Sequence, residues 1–501
     1  MNAVLLNMIA NIISFSLSLV ISFFLTPYIT RNVGLEAYGL VGLANSFVGY
    51  ITILTSALNS MASRFIIINI HKKDYEKANT YFSSVLYANT AIAFLLLIPS
   101  IWLIWNIDVL NVSSQLLVDA QCTFALIGLS FVINLLYARY GVVLYAKNIL
   151  WKGSFRVIES NILRVALIFG FFYYFHPQIY FVVLATFISG IYPIVFNVYY
   201  SRKKLPELRV DRKLFSLHAV WELVSSGIWN SITKLGQILL DGLDLLLSNL
   251  FINGVMTGNV SIAKTVPMLY TTLVATLSDS FQPRFLELYS KSNLECLVRE
   301  LKNSISVLSC ISGICLSLLF VYAEDFYTLW VPSADSRILR NITYCAVGTS
   351  LISGCVYTLF SVFSLTNKLK ANSIAILLTG FLSAGTTFLC LKYTDYGVYA
   401  IVGVSSIFGI VRNLTFTPIY AAKCLNRPIW IFYPIIFKNL LNICSLVSLF
   451  SIVRYYYPVS SWTTLVGNSI IDSLSGFIIT YFIVLNKNEK EIILRLLKIK
   501  K

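Results

Sequence analysis

The chain has 501 residues, 57% of them hydrophobic and 12% charged, with a mean hydropathy of +0.77 and a net charge of +16. Soluble domains carry about 25% charged residues, so this composition excludes a water-facing globular surface and indicates an integral membrane protein. The positive charge does not point to nucleic acid, because membrane proteins collect Lys and Arg in cytoplasmic loops, and this chain does the same.

A transmembrane helix needs about 20 apolar residues. In chain order, apolar segments fall near 4–29, 39–63, 81–105, 117–144, 156–175, 179–199, 218–250, 259–283, 301–323, 338–365, 370–392, 396–423, 430–456 and 463–485. The expected fold is therefore all-α and membrane-integral, with about fourteen spans. The first run has no Lys or Arg before Arg31. It lacks the charged start of a signal peptide and is too long for its apolar core, so it reads as the first span.

Loop charge orients these spans. With the N-terminus in the cytoplasm, the inner loops are Arg64–Lys77, Lys147–Arg156, Arg202–Lys213, Arg284–Lys302, Lys368–Lys370, Lys423–Lys438 and the tail after Asn486. They hold about 28 of the 38 Lys and Arg residues. The outer loops hold about five: Arg31, Arg337, Arg340, Lys392 and Arg454. A wrong span count would flip this alternation midway, so both termini are expected in the cytoplasm. No outer loop is large enough for a catalytic domain.

Two distant helix ends echo one another. "LNSMASRF" (58–65) and "SDSFQPRF" (278–285) share Ser-x-x-x-Arg-Phe. At a shift of about 220 residues Gly34 falls on Gly254, Tyr50 on Tyr270, Thr52 on Thr272, Ser60 on Ser280, Arg64 on Arg284 and Phe65 on Phe285. The matched windows are the second and eighth spans, which share an orientation. Parallel six-helix repeats about an axis along the membrane normal are a known transporter plan. The expected organisation is a six-helix lobe over 1–205, a second over 206–425, and two more helices with a basic tail over 426–501.

The nine cysteines are scattered, no CxxC occurs, and there are three histidines, so neither a zinc site nor another metal centre is expected. No phosphate-binding loop of the G-x-x-x-x-G-K-[ST] type is present. We expect no cofactor and no enzyme activity.

The opening "FFLTPYITRNVGLEAYGLVGLANSFVGYI" (23–51) carries an apolar helix, a basic residue, a turn with Gly34, Glu36, Tyr38 and Gly39, and a second helix. This pattern, with "QPRF" at 282–285, resembles polysaccharide (O-antigen) flippases of the Wzx type. Those belong to the multidrug/oligosaccharidyl-lipid/polysaccharide exporter superfamily. The resemblance implies two lobes around a central cavity. It also implies transport of undecaprenyl-pyrophosphate-linked oligosaccharide across the bacterial cytoplasmic (inner) membrane, for O-antigen or capsule. Implied partners are the lipid-linked substrate, membrane lipids, and the polymerase and chain-length proteins of a polysaccharide pathway.

Ionisable residues inside a span cost several kcal/mol unless paired or hydrated, so each is a candidate site. The cations are Arg139, Arg164, Lys234, Lys264 and Arg412; the acids are Glu159, Glu222, Asp241, Asp244, Asp279 and Asp472. Arg139, Arg164 and Arg412 have no acid one helical turn away, and arginine's planar fork suits a pyrophosphate. With Lys234 they form the expected cationic substrate site; the competing reading is snorkelling to the interface. Asp241, Asp244 and Asp279 are the expected coupling acids. Simple pairing remains open for Lys234 with Asp241, seven residues apart, and for Asp279 with Arg284. Arg156 and Glu159 are expected to pair, and Glu222 and Asp472 to lie near water. Aromatic clusters such as "FFYYF" at 171–175 are expected at the interface.

A multidrug or cation antiporter of the same superfamily is one alternative. It would favour lone acids in the first lobe, and none is expected to be buried in the first four spans. A membrane polysaccharide polymerase is a more distant alternative, disfavoured by the short outer loops.

Overall fold

In the computed structural model, residues 3–483 are described, and among them every regular element is helical. The basic tail after Asn486 lies outside the described residues. In order the helices are α1 Ala3–Val33, α2 Leu35–His71, α3 Tyr75–Trp105, α4 Leu117–Tyr137, α5 Val142–Ala146, α6 Leu150–Tyr174, α7 Ile179–Lys204, α8 Leu217–Gln237, α9 Asp244–Phe251 and α10 Gly254–Asp279. Then come α11 Gln282–Ser290, α12 Leu294–Trp330, α13 Ser336–Val347, α14 Ser350–Val356, α15 Phe360–Leu365, α16 Leu369–Tyr393, α17 Val398–Leu414, α18 Phe416–Cys424, α19 Tyr433–Tyr456 and α20 Trp462–Ile483.

This is an all-α, multi-pass membrane protein. Twelve helical stretches among the described residues are long and apolar enough to cross a bilayer. The two further expected spans exist as helix but fall outside those twelve. One is α6, with Lys152, Arg156, Glu159 and Arg164; the other is α8 with α9, with Glu222, Lys234, Asp241 and Asp244. Four expected spans are interrupted: by a 3-10 turn at Ala138–Gly141, a π turn at Ile238–Gly242, a 3-10 turn at Tyr357–Leu359, and Thr415 between α17 and α18.

Local chemistry explains the helix starts. Asp74 caps α3 by accepting from the Lys77 N–H at 3.1 Å, and Asn293 caps α12 by accepting from the Cys296 N–H at 3.1 Å. Each cap follows a residue in the left-handed region, Lys73 (φ 61°) and Ser292 (φ 54°). Asn148 and Asn367, both at φ 53°, repeat the pairing. Members of each pair stand roughly 220 residues apart, the spacing of the sequence echo.

The chain divides into two compact units. The first holds Met1–Ile238 with Leu245–Gly258, and the second holds Leu239–Asp244 with the chain from Asn259 onward. This division falls later than the repeat boundary expected at 205/206, because α8 packs along α2 and α3. Leu223 of α8 is buried with Leu58, Ala62 and Val85.

In the first unit the Gly34–Gly39 motif is a packing device. Gly34 takes φ 88°, which favours glycine. A Cβ on Gly39 would stand 2.6 Å from the Gly258 nitrogen. The Glu36 carboxylate accepts from the Ser113 N–H at 2.8 Å, and the Tyr38 hydroxyl meets Thr26 at 3.3 Å. In the second unit α12 runs parallel to α19. Leu297, Leu301 and Ile305 share a core with Phe432 and Ile436, and further on Val321 and Tyr322 share one with Leu446 and Phe450.

Candidate functional site

The cations in and beside the spans separate into paired and unpaired sets. Lys264 is the paired one of the five expected inside the spans, and Arg156, Arg340 and Arg454, assigned to loops, are paired as well. Arg156 meets Glu159 at 2.6 Å, as expected, and Tyr192 donates to the same carboxylate at 2.7 Å. Lys264 meets Asp244 at 2.7 Å and donates to the Asp241 carbonyl at 2.7 Å. Arg340 pairs with Glu324. Arg454 meets Asp325 at 2.7 Å.

The other four are the residues expected to bind substrate. Among the described residues, Arg139, Arg164, Lys234 and Arg412 take part in no ion pair. Arg164 projects from α6 with its Nε buried and without a hydrogen-bond partner. Arg412 leans on the Asn413 amide oxygen at 3.2 Å and lies 6.0 Å from the Phe360 ring. Lys234 closes α8, half-buried. Just beyond it the helix widens into the π turn, so the regular seven-residue spacing to Asp241 is not kept.

Arg139 differs from the other three. It sits in the 3-10 turn after α4 and is 8% exposed. Its guanidinium donates to the Leu136 carbonyl and to the Tyr140 hydroxyl at 3.4 Å. It lies 4.7 Å from the Tyr140 ring and 5.1 Å from the Phe82 ring, within cation–π range. Its Nε has no partner.

The acids also sort by environment. Asp244 is 4% exposed and held by Lys264. Asp241 and Asp279 are exposed and form no ion pair among the described residues. The open pairing of Asp279 with Arg284 is not made: Arg284 takes Glu287 at 2.8 Å. Lys291 and Arg284 together hold the Glu287 carboxyl below its ordinary range.

Three expectations are corrected. Asp119, in the fourth span, is 6% exposed, so the first four spans do contain a buried acid. Its carboxylate accepts the Ile179 and Tyr180 N–H groups at 3.0 and 2.7 Å, capping α7 from a neighbouring helix. Asp472 does not lie near water; it is fully buried, because α12 and α19 cover its face of α20. Arg340, expected in an outer loop, lies in α13 and pairs with Glu324. Glu222 is half-buried and accepts from the Tyr81 hydroxyl at 2.6 Å. The signal for Asp119 was its place in the first turn of α4; nothing local marks the cover over Asp472.

Comparison with known proteins places these features in a family. Residues 4–289 match the family described as polysaccharide biosynthesis protein. The chain is 26% identical over 491 residues to the uncharacterized membrane protein EpsK of Bacillus subtilis (strain 168), covering 98% of this chain and 97% of that one. Its fold is similar to the lipid II flippase MurJ in an inward closed conformation, with a TM-score of 0.71, 16% identity, and 98% and 99% of the two chains covered. It is also similar to an inward-facing multidrug resistance MATE family transporter of the MOP superfamily, with a TM-score of 0.66, 14% identity, and 85% and 98% covered.

Proposed function

This chain belongs to the polysaccharide biosynthesis protein family, and from that premise we propose that it is a flippase that carries undecaprenyl-pyrophosphate-linked oligosaccharide across the cytoplasmic membrane for surface polysaccharide assembly. The glycan is a repeat unit of O-antigen or capsule type. The polymerase and chain-length proteins of the same pathway act after it. The chain works as a transporter, not an enzyme.

One observation carries the proposal: of the five cations expected inside the spans, Lys264 pairs with a carboxylate, whereas Arg139, Arg164, Lys234 and Arg412 form no ion pair among the described residues. A cation within a span and without an ion-pair partner is costly, and a structural role would be met more cheaply by pairing. An anionic ligand supplies the missing charge. Arg164, Lys234 and Arg139 belong to the first unit and Arg412 to the second. The arginines offer bidentate hydrogen bonds to phosphate oxygens. Arg139 already has two acceptors and two rings, and its share is the smallest.

For coupling to an ion gradient, Asp241 and Asp279 are available as they stand, whereas Asp244 would first have to leave Lys264. The antiporter reading has lost its disfavouring argument from the first four spans, but Asp119 does not support it, since that carboxylate is committed to the start of α7.

The test is complementation of a strain lacking its own flippase, scored by surface glycan and by membrane abundance of the variant. Arg164→Ala and Arg412→Ala should lose display at normal abundance. Full display from both would remove the proposal.

A further inference from the structure

Asp472 is the most enclosed acid among the described residues and has no part in the substrate site. It lies in α20 at 0% exposure. Its Oδ2 accepts one hydrogen bond, from the Tyr322 hydroxyl of α12 at 2.8 Å. Its Oδ1 has no partner. Neighbouring hydroxyls on α20 cannot serve it. Ser469 donates to Leu465 at 2.7 Å, Ser473 to Ser469 at 2.6 Å, and Ser475 to the Asp472 carbonyl at 3.1 Å.

The helices packed on this side are α12 and α19. Their ionisable groups there are Tyr322, Asp325 and Arg454; the nearby Glu324 is taken by Arg340 and, at 3.6 Å, Arg337. Arg454 is the one cation of the group, and it is engaged elsewhere. It meets Asp325 at 2.7 Å and donates to the Val321 carbonyl at 2.9 Å. Val321 immediately precedes Tyr322, so Arg454 binds α12 within the turn that runs from the tyrosine holding Asp472 to Asp325. The Asp325 side chain is partly exposed, at 18%.

An ionised carboxylate with one donor and no cation is not sustained in an apolar interior. A carboxylic acid fits: Oδ1 keeps a proton and Oδ2 accepts from Tyr322. We propose that Asp472 is a proton-exchange site in the last helix pair, and that Arg454 moves from Asp325 to Asp472 when the proton leaves. The step balances simply. One proton passes from Oδ1 to solvent at the Asp325 end, Arg454 keeps its charge and neutralises the new carboxylate, and Asp325 is left ionised facing water. The site lies outside the cationic set and stands or falls independently of the flippase proposal.

The test uses the purified full-length protein in lipid, without substrate. Infrared difference spectroscopy reads the carbonyl stretch of a protonated buried carboxyl as pH is raised, in sodium and in choline chloride. The wild type should show a band that disappears with rising pH in both salts, and Asp472→Asn should lack it. Asp325→Asn frees Arg454 and should move the loss to lower pH by about one to three units; Arg454→Gln should move it to higher pH. The proposal is overturned if Asp472→Asn keeps the band, if the wild-type band persists to the pH of unfolding, if its loss requires sodium, or if Asp325→Asn and Arg454→Gln leave its midpoint in place. Should Asp472→Asn fail to reach the membrane, the wild-type titration and Asp325→Asn decide it.

Discussion

Lys264 and Asp244 stand 2.7 Å apart within the second unit, and the same ammonium binds the Asp241 carbonyl. The two side chains are twenty residues apart in the chain, and the π turn at Ile238–Gly242 lies directly before Asp244. The lysine therefore ties the start of α9 to α10 at a point where the regular helix gives way.

Removing one partner leaves a buried charge uncompensated, which costs about 3–5 kcal/mol. Lys264→Met should lower the thermal stability of the purified protein and its membrane abundance. Lys264→Met combined with Asp244→Leu should recover most of the loss, because replacing both charges with apolar groups is often neutral. Thermal unfolding of both variants in the same detergent checks the pair.

The contact between Gly39 and Gly258 leaves no room for a side chain. Gly39→Ala should destabilise the protein by about 1–3 kcal/mol through overpacking. Gly49→Ala, on the same helix with nothing within 4 Å of the added Cβ, should be neutral or slightly stabilising. Membrane abundance of the two variants, side by side, separates packing from a general intolerance of α2.

Much of the fold is legible from sequence because span length and loop charge are local quantities. Ser60 and Ser280, matched in the sequence echo, each donate to the carbonyl three residues back. The interrupted spans were not legible. A stretch such as 338–365 reads as one apolar run, and only packing decides that it breaks at Tyr357–Leu359. The site was legible in part. Arg139, Arg164 and Arg412 stood out by having no acid one helical turn away in sequence. Pairing across helices, as in Lys264 with Asp244 or Arg340 with Glu324, depends on tertiary contact and leaves no local mark.

Arg337 and Arg340, three residues apart in sequence, should behave differently. Arg340 pairs with Glu324 and lies over the Tyr344 ring at 5.9 Å, whereas Arg337 is largely exposed and 3.6 Å from the same carboxylate. Arg340→Ala should reduce stability measurably. Arg337→Ala should cost no more than the ~0–1 kcal/mol of a surface pair. Chemical denaturation of the two variants distinguishes them.

Loop charge predicts a cytoplasmic N-terminus. A cysteine at Lys204, in the basic Ser201–Lys213 loop, should escape impermeant thiol reagents in intact cells. A cysteine at Asn253, exposed before α10, should react. The native cysteines, including the exposed Cys444, are free and should be replaced first. Labelling at Lys204 from outside would contradict a cytoplasmic N-terminus with this loop on the same side.

The most direct measurement is flipping itself. Purified protein is reconstituted into liposomes bearing undecaprenyl-pyrophosphate-linked oligosaccharide in one leaflet, and a membrane-impermeant glycosidase reads its arrival in the other. Wild-type protein should transfer the substrate, and Arg164→Ala and Arg412→Ala should slow transfer by at least about tenfold, the loss of one charge-assisted contact of roughly 1.5–3 kcal/mol. Transfer no faster than in protein-free liposomes, or equal transfer by wild type and both variants, would contradict a flippase that holds its substrate through unpaired arginines.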